Sequence, residues 1–202
     1  MRKILLILII LFVSVMTTAC VNNMAIRELN NKADDYMTKG DTETAICRLK
    51  ASLDLDSEVV DTHYKLAVAY NSLARYEEAV IEIDKVLSLN PEYAPAYYTL
   101  GLTKEILAFQ ISSNDINALS IEDISLFNTI AQEAVDAYNE YLIKDVKAVD
   151  VAEVNSKIAA LNAKIKEFTE IYDLRVKETG TIEVQEVSQQ ETQENQEEVI
   201  SE

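Results

Sequence analysis

Similar residues recur at an offset of 34 along the first half of this 202-residue chain, and few folds obey such a rule. Ala33 returns as Ala67, Tyr36 as Tyr70, Ala45 as Ala79, and Leu53 and Leu55 as Leu87 and Leu89. Leu66 and Ala67 are followed in turn by Leu100 and Gly101. A fixed period of this length marks a supersecondary unit that stacks on copies of itself, because one unit alone cannot bury its apolar face. Three Gly and two Pro in the whole chain leave little turn chemistry for hairpins, so the repeated unit is helical and the chain all-α.

The cleanest unit runs from Val60 to Pro91. Ala67 and Ala79 are small where two helices must cross, and a larger side chain would push the backbones apart. Tyr70 and Ile83 are placed to fill the space around that crossing. Pro91 stops the second helix and biases Asn90 out of the α region. Leu66, Ala67, Tyr70, Ala79 and Pro91 make this stretch resemble a tetratricopeptide repeat, with His63 and Val86 as its departures from the family pattern. The resemblance implies a helix–turn–helix unit, an A helix followed by a B helix.

Residues 22–56 read as a degenerate first repeat, with Gly40-Asp41 as the turn between its helices and Lys32 where the pattern calls for Leu. A terminal repeat is expected to be atypical. The third repeat starts at Ala94, but Lys104 replaces the aromatic matching Tyr70. Its small residue should fall near position 113, and the best match is Ala134, an insertion of 21 residues. Part of the insertion, SSNDINALS, reads as a loop. Ser120 with Asp123 resembles an acidic capping box and starts the next helix. Helix A of this unit then runs to about Gln110, and helix B from Ile121 to Leu142.

Asp150 with Glu153 caps a final helix over 151–177. Val151, Val154, Ile158, Leu161, Ile165, Phe168 and Tyr172 alternate steps of three and four, an a/d stripe. Such a stripe suits a C-terminal capping helix or, alternatively, a homodimeric coiled coil. Residues 178–202 hold eight Glu and no Lys or Arg, and their composition predicts a disordered acidic tail.

The first twenty residues are an address rather than structure. Arg2 and Lys3 precede an apolar run from Ile4 to Met16, 13 residues long and short of the roughly 20 that span a bilayer. That is the pattern of a secretory signal peptide, residues 1–19. Thr17-Thr18-Ala19-Cys20 resembles the lipobox of bacterial lipoproteins, with Thr17 in place of the usual Leu or Val. The resemblance implies that Cys20 becomes the N-terminus and carries lipid, with residues 20–25 as anchor and polar tether and the array over 26–146. Several acyl chains make such attachment stable where one is marginal. Val21 lacks the Asp that retains enterobacterial lipoproteins in the inner membrane, which points to the outer membrane in a cell that has one. With Cys20 acylated, Cys47 has no disulfide partner in the chain. It reads as a small apolar residue at a helix interface.

Net charge is −17, and removing Arg2 and Lys3 with the leader makes the remainder more acidic still. Such a surface repels nucleic acid and anionic head groups, so partners are expected to be basic or apolar. No catalytic motif, cofactor loop or metal-ligand spacing stands out. His63 is the single histidine and sits at a packing position of helix A. Tetratricopeptide arrays typically hold a peptide or a partner's helix in a groove lined by their A helices. The resemblance assigns that groove to Arg27, Asn30, Asp34 and Met37, to Asp61, Tyr64, Val68 and Asn71, and to Pro95, Tyr98, Leu102 and Glu105. Clamps for chaperone C-terminal carboxylates need Lys, Arg and Asn at these positions. Here only Arg27, Asn30 and Asn71 qualify, which argues against that use. The reading is a non-catalytic interaction scaffold of the bacterial envelope. Its rival is an unlipidated secreted or surface adhesion or solute-binding protein.

Overall fold

The computed structural model describes residues 21–112, 118–145 and 150–200, with side chains as far as Glu178. Among the described residues there are seven helices and no strand. They are α1 (21–38), α2 (Thr42–Leu53), α3 (Val60–Ser72), α4 (Tyr76–Leu89), α5 (Ala94–Ser112), α6 (Ile121–Lys144) and α7 (Val151–Ile200). They form an all-α array of the tetratricopeptide type. No described helix is long and apolar enough to cross a membrane. The leader and Cys20 lie outside the described residues.

Two compact units divide these helices. The first holds α1 to α4, α5 as far as Thr103, and residues 143–145. Its core follows the 34-residue rule. Ala33, Ala45, Leu66 and Ala79 pack with Ile46, Leu49, Ala69 and Tyr70, and Ala67 packs with Ile83, Val86 and Ala96. The small residues expected at helix crossings are all sealed from solvent. Cys47 is a correction. It lies on the exposed face of α2, because two residues beyond the buried Ala45 turn the helix about 200° away from the interface.

Both helix–turn–helix connections close the same way. Gly40 N–H donates to the Met37 carbonyl and Asp41 N–H to that of Tyr36, at 3.0 Å each. One repeat later, Ala74 donates to Asn71 (3.1 Å) and Arg75 to Tyr70 (2.9 Å). This is the Schellman pattern, which needs a left-handed residue at its centre. Gly40 has φ 78° and Ala74 has φ 57°. Asp41 then caps α2 by accepting from Thr44 N–H, whereas Arg75 leaves α4 without a side-chain cap. Arg75 instead stacks over the Tyr70 ring at 4.6 Å and pairs with Glu78.

The second unit contains the rest of α5, α6 and α7. The insertion lengthens both helices close to the expected bounds, and most of the loop expected over 112–120 lies outside the described residues. Counted from the bounds, α5 is six residues longer than α3, and α6 starts ten residues earlier relative to Ala134 than α4 does relative to Ala79. The added turns bury Ala108, Ile124, Phe127 and Ala131, which offsets the entropy of ordering them. Ser120 and Asp123 form the expected reciprocal cap, Asp123 N–H to Ser120 Oγ and Ser120 N–H to Asp123 Oδ2, both 3.0 Å.

Three of the seven residues of the α7 stripe are buried inside the chain. Val154, Leu161 and Phe168 are buried, and the Phe168 ring stacks on Phe127 of α6 at 4.0 Å. Lys157 reaches Glu105 of α5 at 3.1 Å, so α7 packs on this unit, while Val151 is 44% exposed and Ile158, Ile165 and Tyr172 are half-buried. The disordered-tail expectation is also corrected, because α7 continues to Ile200. Glu and Gln are good helix formers, and no Pro interrupts the run.

Candidate partner-binding face

In the first unit the A helices α1, α3 and α5 are joined by polar rungs. Asn30 Nδ2 donates to Thr62 Oγ1 at 2.9 Å and to Asp61 Oδ2 at 3.3 Å, and Ser52 joins Thr62 at 3.3 Å. Asn71 Nδ2 donates to Thr103 Oγ1 at 2.8 Å. Both Asn–Thr pairs span 32 residues and join successive A helices, although Asn30 and Asn71 are 41 residues apart and so hold different places in their repeats. Thr62 and Thr103 are fully buried and were not singled out from the sequence. Their signal was there: a Thr two positions short of one repeat after an Asn that was.

These rungs correct the groove assignment for two residues. Asn30 is 5% exposed, so it joins helices rather than facing a ligand. Glu105 lies in the second unit, where its carboxylate accepts from the Tyr138 hydroxyl and from Lys157. It belongs to the α5–α6–α7 packing. Asn71 is half-buried and its amide is engaged by Thr103.

The remaining assigned residues stay together on the first unit. Asp34 is exposed and bound by Lys65 at 2.6 Å, with Asp61 on the other side of the same ammonium at 3.9 Å. Tyr64 is half-buried, edge-on to Tyr93 at 5.2 Å, and its hydroxyl lies 3.3 Å from Thr99 Oγ1. Burial, then the neighbouring Tyr64 and Asp61, push the Tyr93 phenol above its ordinary range. Val68, one turn beyond Tyr64, is 38% exposed. Tyr98 and Leu102 stand one turn apart on α5, both half-buried. The result is an aromatic and aliphatic strip with Asp34 and Asp61 at one edge.

His63 sits away from this strip. It is buried, with Nδ1 2.6 Å from Glu82 Oε2 and Nε2 3.0 Å from the Ser57 carbonyl, so it ties α3 to α4 and to the loop before α3. Among the described residues no group of three or more His, Cys, Asp or Glu is placed to hold a metal ion.

The A helices of this array thus carry a partly exposed aromatic and aliphatic strip. Residues 60–93 match the family model for the tetratricopeptide repeat. Among curated proteins, a tetratricopeptide repeat and J domain-containing co-chaperone DNJ1 of Fusarium oxysporum f. sp. lycopersici is 31% identical over 79 residues, 39% of this chain. The match spans only 15% of that protein's length. Among solved structures, the first TPR of Spaghetti (RPAP3) bound to HSP90 peptide SRMEEVD aligns with a TM-score of 0.55 at 17% identity. It covers 71% of this chain and 94% of that one. The TPR2B domain of yeast Sti1, in a complex with pHsp70, aligns with a TM-score of 0.55 at 14% identity, over 70% and 98% of the two chains. At these identities the likeness concerns the fold.

Proposed function

We propose that this protein is a non-catalytic scaffold that presents the strip of Tyr64, Val68, Tyr98 and Leu102 to a segment of another envelope protein, while an acylated Cys20 holds it at the membrane. The observation that carries the reading is the partly open aromatic and aliphatic strip on the A helices of a tetratricopeptide array. Tyrosines supply apolar area with a polar tip at low entropic cost, which suits a peptide ligand. The structural relatives named above are complexes with the HSP90 peptide SRMEEVD and with pHsp70, but the acidic tail of SRMEEVD is a poor ligand here. Asn30 and Asn71 are engaged between helices, and Asp34 and Asp61 border the strip. An apolar segment flanked by basic residues fits better.

A photo-crosslinking residue placed at Val68 should capture one discrete partner from intact envelopes. The same residue at Ile81, exposed on α4, should not. Capture at both sites alike, or at Ile81 alone, overturns the assignment of the face. Metabolic labelling with a palmitate analogue, comparing wild type with Cys20→Ala, separates the lipoprotein from the unlipidated secreted alternative. Outer-membrane residence then rests on fractionation of labelled cells.

A further inference from the structure

We infer that the N-terminal end of the array is itself a lipid-contacting surface, seated in the headgroup layer by Val21, Met24 and Leu55. This inference rests on the acylation of Cys20 and gives that anchor a defined geometry. The sequence suggested a polar tether over 20–25, but the structure has α1 under way at residue 21, with Asn22 and Asn23 in its first turn. Cys20 is the residue that directly precedes Val21 in the chain. Helical rise then places Met24 only about 4.5 Å further along the axis. Acyl chains on Cys20 therefore bring the first turn of α1 to the depth, about 5–10 Å, at which interfacial helices bury their apolar side chains.

What that turn offers is apolar. Val21 is 67% exposed and Met24 75%, and residues three apart share one side of a helix. Further along α1 the outward residues are polar: Arg27, Glu28 and Asn31. Leu55, exposed in the α2–α3 loop, lines one surface hollow together with Asn22, Asn23 and Ile26. The same hollow is edged by Asp54, Asp56 and Glu58, so the lipid that fits has a zwitterionic head group of no net charge rather than an anionic one.

The test uses full-length protein purified from membranes, with Cys20 acylation checked by mass spectrometry. Cys47→Ser removes the other exposed thiol. Met24→Cys, Leu55→Cys and Ile81→Cys are each labelled with an environment-sensitive dye and reconstituted in phosphatidylcholine vesicles containing lipid spin-labelled near the head group. The dyes at Met24 and Leu55 should shift to the blue and lose several-fold more emission to the quencher than the dye at Ile81. Acylated protein in which all three sites are quenched alike, or in which Met24 reports bulk water, overturns the proposal and leaves the anchor intact. Protein whose Cys20 carries no lipid removes the anchor and the proposal together, and the mass spectrum identifies that case.

Discussion

Two turns that obey one rule with different residues allow a sharp test. Gly40 and Ala74 are one repeat apart and hold equivalent places in the Schellman turns after α1 and α3, both with positive φ. The left-handed conformation costs an L-residue about 1–2 kcal/mol, and glycine escapes that cost at about 0.5–1 kcal/mol of extra chain entropy. Ala74→Gly should therefore stabilise the protein by about 0.5–1 kcal/mol. Gly40→Ala should destabilise it by about 1 kcal/mol, wholly through the backbone, because a Cβ there meets nothing within 4 Å. For a folded body of this size each kcal/mol moves the thermal midpoint by about 2–4 °C. Thermal melts and urea titrations of the leaderless chain should show midpoints displaced in opposite directions. A lower midpoint for Ala74→Gly, or no change for Gly40→Ala, would refute the equivalence of the two turns.

Ala79→Leu should lower stability by about 1–3 kcal/mol by overpacking the α3–α4 crossing, where Ala79 has no exposed surface, and an unchanged melt would mean the crossing lies elsewhere. Phe168→Ala should cost about 3–5 kcal/mol by removing the ring stacked on Phe127, read as a loss in urea midpoint; a cost near zero would show that α7 does not cap α6. Asn30→Ala should cost about 1–3 kcal/mol by stranding Thr62 and Ser52 in the core, whereas an exposed groove asparagine would cost almost nothing. Acid should weaken the fold. The Ser120 backbone N–H and hydroxyl hold the Asp123 carboxyl below its ordinary range, and bonds from Arg75 and Lys32 do the same for Glu78 and Glu28. A depressed carboxylate contributes stability above the unfolded value, about 4, that is lost as pH falls through the lower folded value. Urea midpoints should accordingly fall between pH 5 and pH 3, and Asp123→Asn should remove part of that dependence.

The repeat unit was legible because its rules are local and periodic. Ala67 and Ala79 must be small wherever two helices cross, Pro91 must end a helix, and Gly40-Asp41 and Ser120–Asp123 carry turn and cap chemistry within a few residues. Each of these is a short-range constraint, and the structure satisfies them all. The insertion was visible as a broken register, and the Ser120–Asp123 cap set the start of the longer second helix, but what Ile124 and Phe127 bury against was not legible, because that depends on the neighbouring helices. The a/d stripe of α7 did not say which helix it packs on, and only the stacking of Phe168 on Phe127 and the reach of Lys157 to Glu105 fixed its neighbours as α6 and α5. Groove positions were inherited from the repeat pattern, which gives a residue's angle around its helix but not the neighbour's answer to it. Thr62 turns Asn30 from a ligand contact into a buried rung, and Tyr138 with Lys157 does the same to Glu105, because a hydrogen-bond partner on the next helix outweighs exposure to water once both groups are enclosed.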